Sequence, residues 1–266
     1  MSTLSVINPS TVLVLGATGK TGRRVVDLLG PAARPASRSS ATKFDWSVAG
    51  TWEQALAGIT AVYVVPPENP SLLVEFVPVA VKAGVTRLVL LSMRGAPDDD
   101  PFESAIKASG VEWTVLRPTW FMQNFDEDLF AAPVQQGELA LPAGQGVHPF
   151  IDVLDIAEVA VTALTQPGHA GQTYELSGPE ALSFPEMLAR IVAVTGIPVV
   201  YSDVEPDEFT ASLRGFGYPD EIADLITTLL LRIRTGAEAH LSDGVQRVLG
   251  RKPRTFAGYL GSSKFA

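Results

Sequence analysis

The chain has 266 residues, 46% of them hydrophobic and 18% charged, so it can fill the core of one large α/β domain or of a domain with a smaller satellite. Its net charge of −9 argues against nucleic-acid binding, and the absence of cysteine excludes disulfides, thiolate metal sites and a cysteine nucleophile. The first ten residues lack a signal-peptide pattern and no apolar run reaches membrane-spanning length, so we expect a soluble, cytoplasmic protein without nucleic-acid or membrane partners.

A short apolar run that leads into three glycines is the strongest local signal. Residues 12–15 are typical of a strand buried on both faces of a parallel sheet, and apolar residues at helical spacing begin after Arg23. Glycines in such a strand–turn–helix context allow close approach to a pyrophosphate, which the helix N-terminus then binds. The cofactor contacts predicted for this turn are Gly16, Thr18, Gly19, Lys20, Thr21 and Gly22.

Two other interpretations of this turn exist. Gly19-Lys20-Thr21 resembles the end of a nucleoside-triphosphate P-loop, but that motif needs a glycine five residues before Gly19, and position 14 is Val. The other interpretation is a tight strand-to-helix turn that binds nothing. The strand–helix alternation of the following chain favours the dinucleotide-binding turn.

Strands and helices alternate after this turn. Further strands are predicted at residues 34–37, 43–46, 61–65, 87–92 and 113–117, and helices at 51–58, 71–81 and 101–109. Thr51 and Ser71 are the predicted N-caps of the first two helices, and Pro78 is expected to kink the second. This alternation predicts an α/β fold with a Rossmann-type, doubly wound parallel sheet that binds ligands at the carboxyl ends of its strands.

The pattern changes beyond Asn124. Residues 138–141 and 147–151 are predicted to pair as short strands around Gly144-Gln-Gly146, followed by a helix at 152–164 and the last strand of the main sheet at 173–176. Ser183 and Glu186 have the spacing of a capping box for a helix that ends at Thr195, and a short strand at 199–204 and helices at 207–216 and 219–235 follow. We therefore expect a dinucleotide-binding domain at 1–125, rejoined by about 149–178, and a small C-terminal substrate-binding cap at 126–148 and 179–266.

The end of the second strand indicates which dinucleotide is preferred. NAD-selective turns carry an acidic residue about twenty positions after the glycines, whereas this chain has Arg38 there, followed by Ser39. A guanidinium beside hydroxyl groups suits a 2′-phosphate, so we predict NADP(H) in preference to NAD(H). Asp45 is placed to accept a hydrogen bond from the adenine amino group. The alternative for Arg38 is a side chain that is merely solvated.

The glycine turn, Arg38 and the segment Leu116-Arg-Pro-Thr-Trp-Phe-Met-Gln-Asn124 together resemble the NmrA-like group of atypical short-chain dehydrogenases/reductases. Residues 37–40, 44–46, 51–52 and the tail at 249–256 look closer to the ergot-alkaloid-biosynthesis reductase branch, which reduces iminium-type intermediates. This resemblance implies NADP binding and a nicotinamide pocket at the strand ends. The pocket residues that it implies are Pro66, Ser92, Pro118, Thr119, Trp120 and Phe121.

The catalytic acid of the broader superfamily is a Tyr with a Lys four residues later, and none of the five tyrosines of this chain has that Lys. NmrA-like quinone reductases often carry a Lys just after the position of Glu103, where this chain has Ser104, and Lys107 lies one turn further on. Reduction of an unactivated ketone is therefore disfavoured, because the developing alkoxide needs a proton donor.

Two hypotheses remain for the function. In the first, the protein is an NADPH-dependent reductase of specialised metabolism whose small-molecule substrate is already electrophilic, such as an iminium, a quinone or an enone. In the second, it is a non-catalytic NADP sensor that acts through a protein partner, as in the redox-sensing regulators that the NmrA-like group also contains.

The candidate catalytic residues are Ser92, Thr119 and His148. His148, Trp120 and Phe121 are also predicted to line the substrate pocket, with packing in the core as the alternative role. The three histidines have no metal-ligand spacing, so no metal site is predicted. The sequence is compatible with a monomer or a homodimer.

Overall fold

The computed structural model describes residues 11–265 of the chain. Within this range the strands, in chain order, are β1 (Val12–Leu15), β2 (Ala33–Ser37), β3 (Thr42–Lys43), β4 (Ala61–Val64), β5 (Arg87–Leu91), β6 (Glu112–Pro118), β7 (Glu138–Leu141), β8 (Val147–His148), β9 (Gln172–Leu176), β10 (Leu182–Ser183) and β11 (Val200–Asp203).

The helices over the same residues are α1 (Lys20–Leu29), α2 (Trp52–Leu56), α3 (Pro70–Lys82), α4 (Pro101–Lys107), α5 (Ala131–Gln136), α6 (Val153–Thr165), α7 (Phe184–Thr195), α8 (Pro206–Gly215), α9 (Asp220–Arg234), α10 (Gly244–Leu249) and α11 (Phe256–Leu260). No described helix combines the length and the hydropathy that a membrane crossing requires. The first ten residues, on which the expectation of no signal peptide rests, lie outside the described residues.

Seven strands form one parallel sheet in the order β3-β2-β1-β4-β5-β6-β9. The order reverses between β1 and β4, and the strands alternate with helices along the chain, so the predicted doubly wound α/β architecture is confirmed. β1 and β4 are buried along their whole length, which explains why both read as uninterrupted apolar runs.

The chain divides into two compact units. The sheet unit comprises residues 11–118, 153–176 and 244–251, and the second unit comprises residues 119–152, 177–243 and 252–265. Each unit has its own buried apolar cluster. In the second unit that cluster contains Phe125, which contacts four other phenylalanine rings at centroid distances of 5.2 to 6.1 Å.

The third strand is much shorter than the sequence predicts, because the chain around Asp45 bonds to the start of α2 instead of to a neighbouring strand. The Asp45 N–H donates to Thr51 Oγ1 (3.1 Å), and the Trp52 indole N–H donates to the Asp45 carbonyl (3.1 Å). Phe44 and Trp46 lie 5.7 and 5.2 Å, centroid to centroid, from the ring of Phe76. Residues 44–52 are therefore held by aromatic packing in the sheet unit.

The predicted hairpin around Gly144-Gln-Gly146 is wrong. β7 pairs in parallel with β11, and β8 pairs antiparallel with β10. Packing requires a glycine at position 146, because a Cβ atom there would lie 2.0 Å from the carbonyl oxygen of Ile233. Gly146 thus permits close packing of this loop against the end of α9, and the strands on either side of it pair elsewhere.

One predicted N-cap needs correction: Asn69, rather than Ser71, caps α3 by accepting the N–H of Ser71. Thr51 occupies the N-cap position of α2 as predicted, but its hydroxyl donates to the Val48 carbonyl and makes no capping hydrogen bond. The capping box of α7 is confirmed: Ser183 Oγ accepts the N–H of Glu186, whose carboxylate accepts the N–H of Ser183. No sequence pattern predicted α5, α10 or α11.

Candidate cofactor and active site

The glycine turn follows β1 directly and packs closely against α1. Gly16 has a φ of +64°, which favours glycine, and its carbonyl accepts the N–H of Gly19 at 2.9 Å. A Cβ atom on Gly22 would lie only 2.2 Å from that same Gly16 oxygen. The first turn of α1 has neither an acidic residue nor a side-chain cap, so its N-terminus fits an anionic group.

The other residues predicted for this turn differ in exposure. Thr18 is exposed and Lys20 is half-buried, whereas Thr21 is buried beside the hydroxyl of Tyr63. The Thr21 side chain therefore faces the interior. Its backbone N–H lies in the first turn of α1, where it can donate to a bound anion. These placements fit a backbone cradle for a pyrophosphate.

Arg38 lies in a compact turn at the end of β2. Ser37 Oγ accepts the N–H groups of Ser39 and Ser40 at 3.2 and 2.9 Å, which fixes the backbone on either side of Arg38. The Arg38 side chain is exposed and makes no hydrogen bond or ion pair with another of the residues 11–265. It is therefore available to bind an anion at the carboxyl end of β2.

Asp45 is engaged within its own loop. Its Oδ1 accepts the N–H of Ser47 at 2.9 Å and the Ser47 hydroxyl at 2.7 Å. These two hydrogen bonds, aided by the charge of Arg38, lower the pKa of Asp45. Its predicted contact with adenine would have to use the second carboxylate oxygen.

Pro66, Ser92 and Pro118 all lie at the carboxyl edge of the parallel sheet, following or ending β4, β5 and β6. The Ser92 N–H donates to the Leu116 carbonyl at 2.8 Å, which continues the sheet pairing by one residue. The sheet unit therefore brings this group to the same edge as the glycine turn and Arg38. This is where ligands bind in doubly wound sheets.

Glu103 is the centre of a charged cluster at this edge. Its side chain is completely buried and accepts two hydrogen bonds from Arg117, one from Lys107 and one from Ser92, all at 2.7 to 2.8 Å. Burial raises the pKa of Glu103, but the hydrogen bonds from Arg117, Lys107 and Ser92 outweigh it and lower the pKa to about 2. The carboxylate is charged at neutral pH and the Ser92 proton points to it.

Thr119, Trp120, Phe121 and His148 belong to the second unit. The Thr119 hydroxyl is buried and donates to the Pro149 carbonyl at 2.7 Å. His148 has no exposed surface, and its Nε2 accepts the backbone N–H of Trp120 at 3.3 Å. In this structure His148 helps to hold the 119–121 segment, whereas Trp120 and Phe121 are half-buried and keep accessible surface.

Four of the five tyrosines are not placed to supply a replacement acid. Tyr63, Tyr174 and Tyr259 are buried, and burial raises the pKa of both Tyr63 and Tyr259. The hydroxyl of Tyr201 donates to the Leu141 carbonyl. Over the described part of the chain, no group of three or more His, Asp or Glu residues is arranged to hold a metal ion.

Sequence reasoning missed the role of Glu103 and Arg117. The i,i+4 spacing of Glu103 and Lys107 signals a helix-surface ion pair, but nothing in the sequence indicates that Arg117, from a neighbouring strand, forms a bidentate pair with the same carboxylate. It also missed Arg251 in the tail, which forms ion pairs with Asp155 and Glu158 of α6. That pairing gives the tail motif a structural role in the sheet unit.

A parallel Rossmann sheet with this glycine turn defines a dinucleotide-binding protein. No protein-family model matches the chain. The chain is 33% identical to the NAD(P)H azoreductase of Xenophilus azovorans, covering 93% of this chain and 96% of the relative. It is 32% identical to the agroclavine dehydrogenase of Claviceps fusiformis, covering 96% and 97%.

Among solved structures, the NADPH complex of the quinone oxidoreductase QOR2 from Escherichia coli matches with a TM-score of 0.80 at 22% identity, covering 94% of this chain and 99% of that one. This likeness confirms the Rossmann-type fold. The chain belongs to the NmrA-like family of atypical short-chain dehydrogenases/reductases, and ergot-alkaloid-type reductases are among its relatives. The resemblance inferred from the glycine turn and residues 116–124 is thereby confirmed.

Proposed function

We propose that this protein is an NADPH-dependent reductase that transfers hydride to an electrophilic small molecule, with an iminium as the favoured class. Relatives named as an NAD(P)H azoreductase and an agroclavine dehydrogenase support an oxidoreductase role. The glycine turn, the uncapped start of α1 and the exposed Arg38 support binding of a phosphorylated dinucleotide.

In this proposal the sheet unit holds the cofactor. The backbone of residues 16–22 binds the pyrophosphate, Arg38 with Ser39 binds the 2′-phosphate, and Pro66, Ser92 and Pro118 border the nicotinamide. The bound cofactor supplies the hydride. Trp120 and Phe121 of the second unit, which keep accessible surface, are the residues proposed to contact the substrate.

The choice of an iminium rests on the hydrogen bonds of the two hydroxyl candidates. Ser92 donates its proton to Glu103, which is charged at neutral pH, and Thr119 donates its proton to the Pro149 carbonyl. Both hydroxyl protons are therefore donated to acceptors of the protein itself. An iminium carbon that accepts hydride becomes a neutral amine and needs no proton, so it suits a site of this kind better than a ketone or a quinone does.

The role of Arg38 predicts a selective effect on cofactor binding. Arg38→Ala is expected to weaken NADPH binding by about 10- to 100-fold, because it removes charged hydrogen bonds to the 2′-phosphate. NADH lacks that phosphate and should lose less than about twofold. Equilibrium titration of the wild type and the variant with both cofactors measures the difference, and equal losses would remove the case for NADPH preference.

The reaction is tested by following NADPH oxidation with cyclic iminium salts, quinones, enones and simple ketones under the same conditions. We expect turnover of iminium salts and none of unactivated ketones. NADPH titration in parallel separates a failure to bind the cofactor from a failure to react. Tight NADPH binding without turnover of any acceptor would favour a redox sensor that acts through a protein partner.

Ser92→Ala tests the absence of a proton donor with the same assay. A general acid contributes about 10²- to 10⁴-fold to a rate, so a loss of kcat smaller than this with an iminium is expected. A loss of kcat of about 100-fold or more, without a change in KM, would show that Ser92 acts as an acid and would contradict the proposed mechanism.

A further inference from the structure

The second unit contains an open cavity of about 680 Å³, within the range of small-molecule sites. Its walls come from α5 and the two residues before it, β7, the residue after β11, α8 and the loop that follows α8. Apolar and aromatic side chains dominate the lining, among them Phe130, Leu139, Phe209, Phe216 and Tyr218. Phe216 is 80% exposed, a large exposed fraction for a phenylalanine side chain.

The charges at this cavity are of one sign. Glu138 and Glu208 belong to the lining, and none of the lining residues is Lys, Arg or His. Glu138 accepts the Ser202 hydroxyl at 2.6 Å, so its carboxylate is fixed. The nearby Arg214 is held by ion pairs of 2.8 Å with both Asp220 and Asp224, which offset its charge.

We infer that this cavity of the second unit is a binding site specific for apolar aromatic cations. Aromatic and aliphatic walls bind the ring system, and the two carboxylates attract the positive charge. A carboxylate-bearing ligand of the same shape is repelled. The site lies wholly within the second unit, so its occupation requires no nicotinamide cofactor.

The structure also provides a local reporter of this site. Phe130 lines the cavity and stacks on Trp120 with a centroid distance of 5.7 Å and an interplanar angle of 6°. The other three tryptophans (Trp46, Trp52 and Trp113) belong to the sheet unit. Phe130 is completely buried behind the cavity surface, so a ligand that displaces its ring should change the emission of Trp120, and that change should be absent in Trp120→Phe.

The test uses the full chain without NADPH and three probes of equal ring size: 10-methylacridinium, neutral acridine and acridine-9-carboxylate. Calorimetric titration is expected to give a Kd for the cation at least about tenfold lower than for the anion, with the neutral probe between them. Equal affinities would overturn the inference, as would no binding of the cation.

Two glutamates provide a matched pair of variants. Glu208 and Glu221 are both exposed and both lie in the first turn of a helix, α8 and α9 respectively, but only Glu208 lines the cavity. Glu208→Gln should weaken cation binding about threefold while Glu221→Gln leaves it unchanged. Phe216→Ala should weaken the binding of all three probes. Equal effects of the two glutamate variants would overturn the assignment to this cavity.

Discussion

Replacing Glu103 with alanine is expected to lower the free energy of unfolding by about 3–5 kcal/mol. The carboxylate is completely buried and pairs with both Arg117 and Lys107. Its removal leaves the Arg117 guanidinium, whose side chain is only 15% exposed, without its bidentate partner in a largely buried position. Urea denaturation followed by circular dichroism measures the loss.

Glu112 is the matched control for this prediction. It also pairs with an arginine, Arg87, at 2.6 Å, but its side chain is 51% exposed. Exposed pairs of this kind contribute about 0–1 kcal/mol, so Glu112→Ala should have a small effect. Similar losses for the two variants would mean that the buried cluster around Glu103 does not stabilise the sheet unit as the structure indicates.

The same cluster predicts how stability depends on acid. The pKa of Glu103 is about 2 in the folded protein, below the 4.5 of an unperturbed glutamate. As the pH falls, Glu103 is therefore protonated at a higher pH in the unfolded state than in the folded state. Its contribution to the free energy of unfolding is complete above about pH 4.5 and is lost as the pH falls towards 2. Glu103→Gln should remove this component of the acid dependence.

Gly22→Ala is expected to abolish tight NADPH binding, with a loss of at least about 100-fold, and to lower the free energy of unfolding by about 3 kcal/mol. The new methyl carbon would lie 2.2 Å from the Gly16 carbonyl oxygen and 2.7 Å from the Gly16 carbonyl carbon. Both contacts are with backbone, so the turn or α1 must move. That movement displaces the N–H groups that would bind the pyrophosphate.

A glycine-to-alanine change inside a helix would otherwise stabilise the protein by about 1 kcal/mol. Gly215, the last residue of α8, provides the comparison because a Cβ atom there meets nothing within 4 Å. Gly215→Ala should leave stability unchanged or slightly raised and NADPH affinity unaffected. Unimpaired NADPH binding by Gly22→Ala would contradict the role assigned to the glycine turn.

The amino-acid sequence was enough to predict the glycine turn and most strands of the parallel sheet. β1 and β4 were predicted almost to the residue, because a strand covered on both faces must be apolar throughout. Gly16 and Gly22 were recognised because the close packing at this turn tolerates no side chain. Burial of a strand and close packing of a turn each restrict the residue types of one short segment, so the segment's own sequence reveals them.

The pairings that join distant segments became visible only in the folded chain. Glu103 and Arg117 are fourteen residues apart and meet because β5 and β6 are neighbours in the sheet. Residues 138–141 were assigned to the wrong strand partner, since short strands carry too little pattern to specify register. The cavity of the second unit combines α5, β7 and α8, and its single-sign charge arises from that packing of segments distant in sequence.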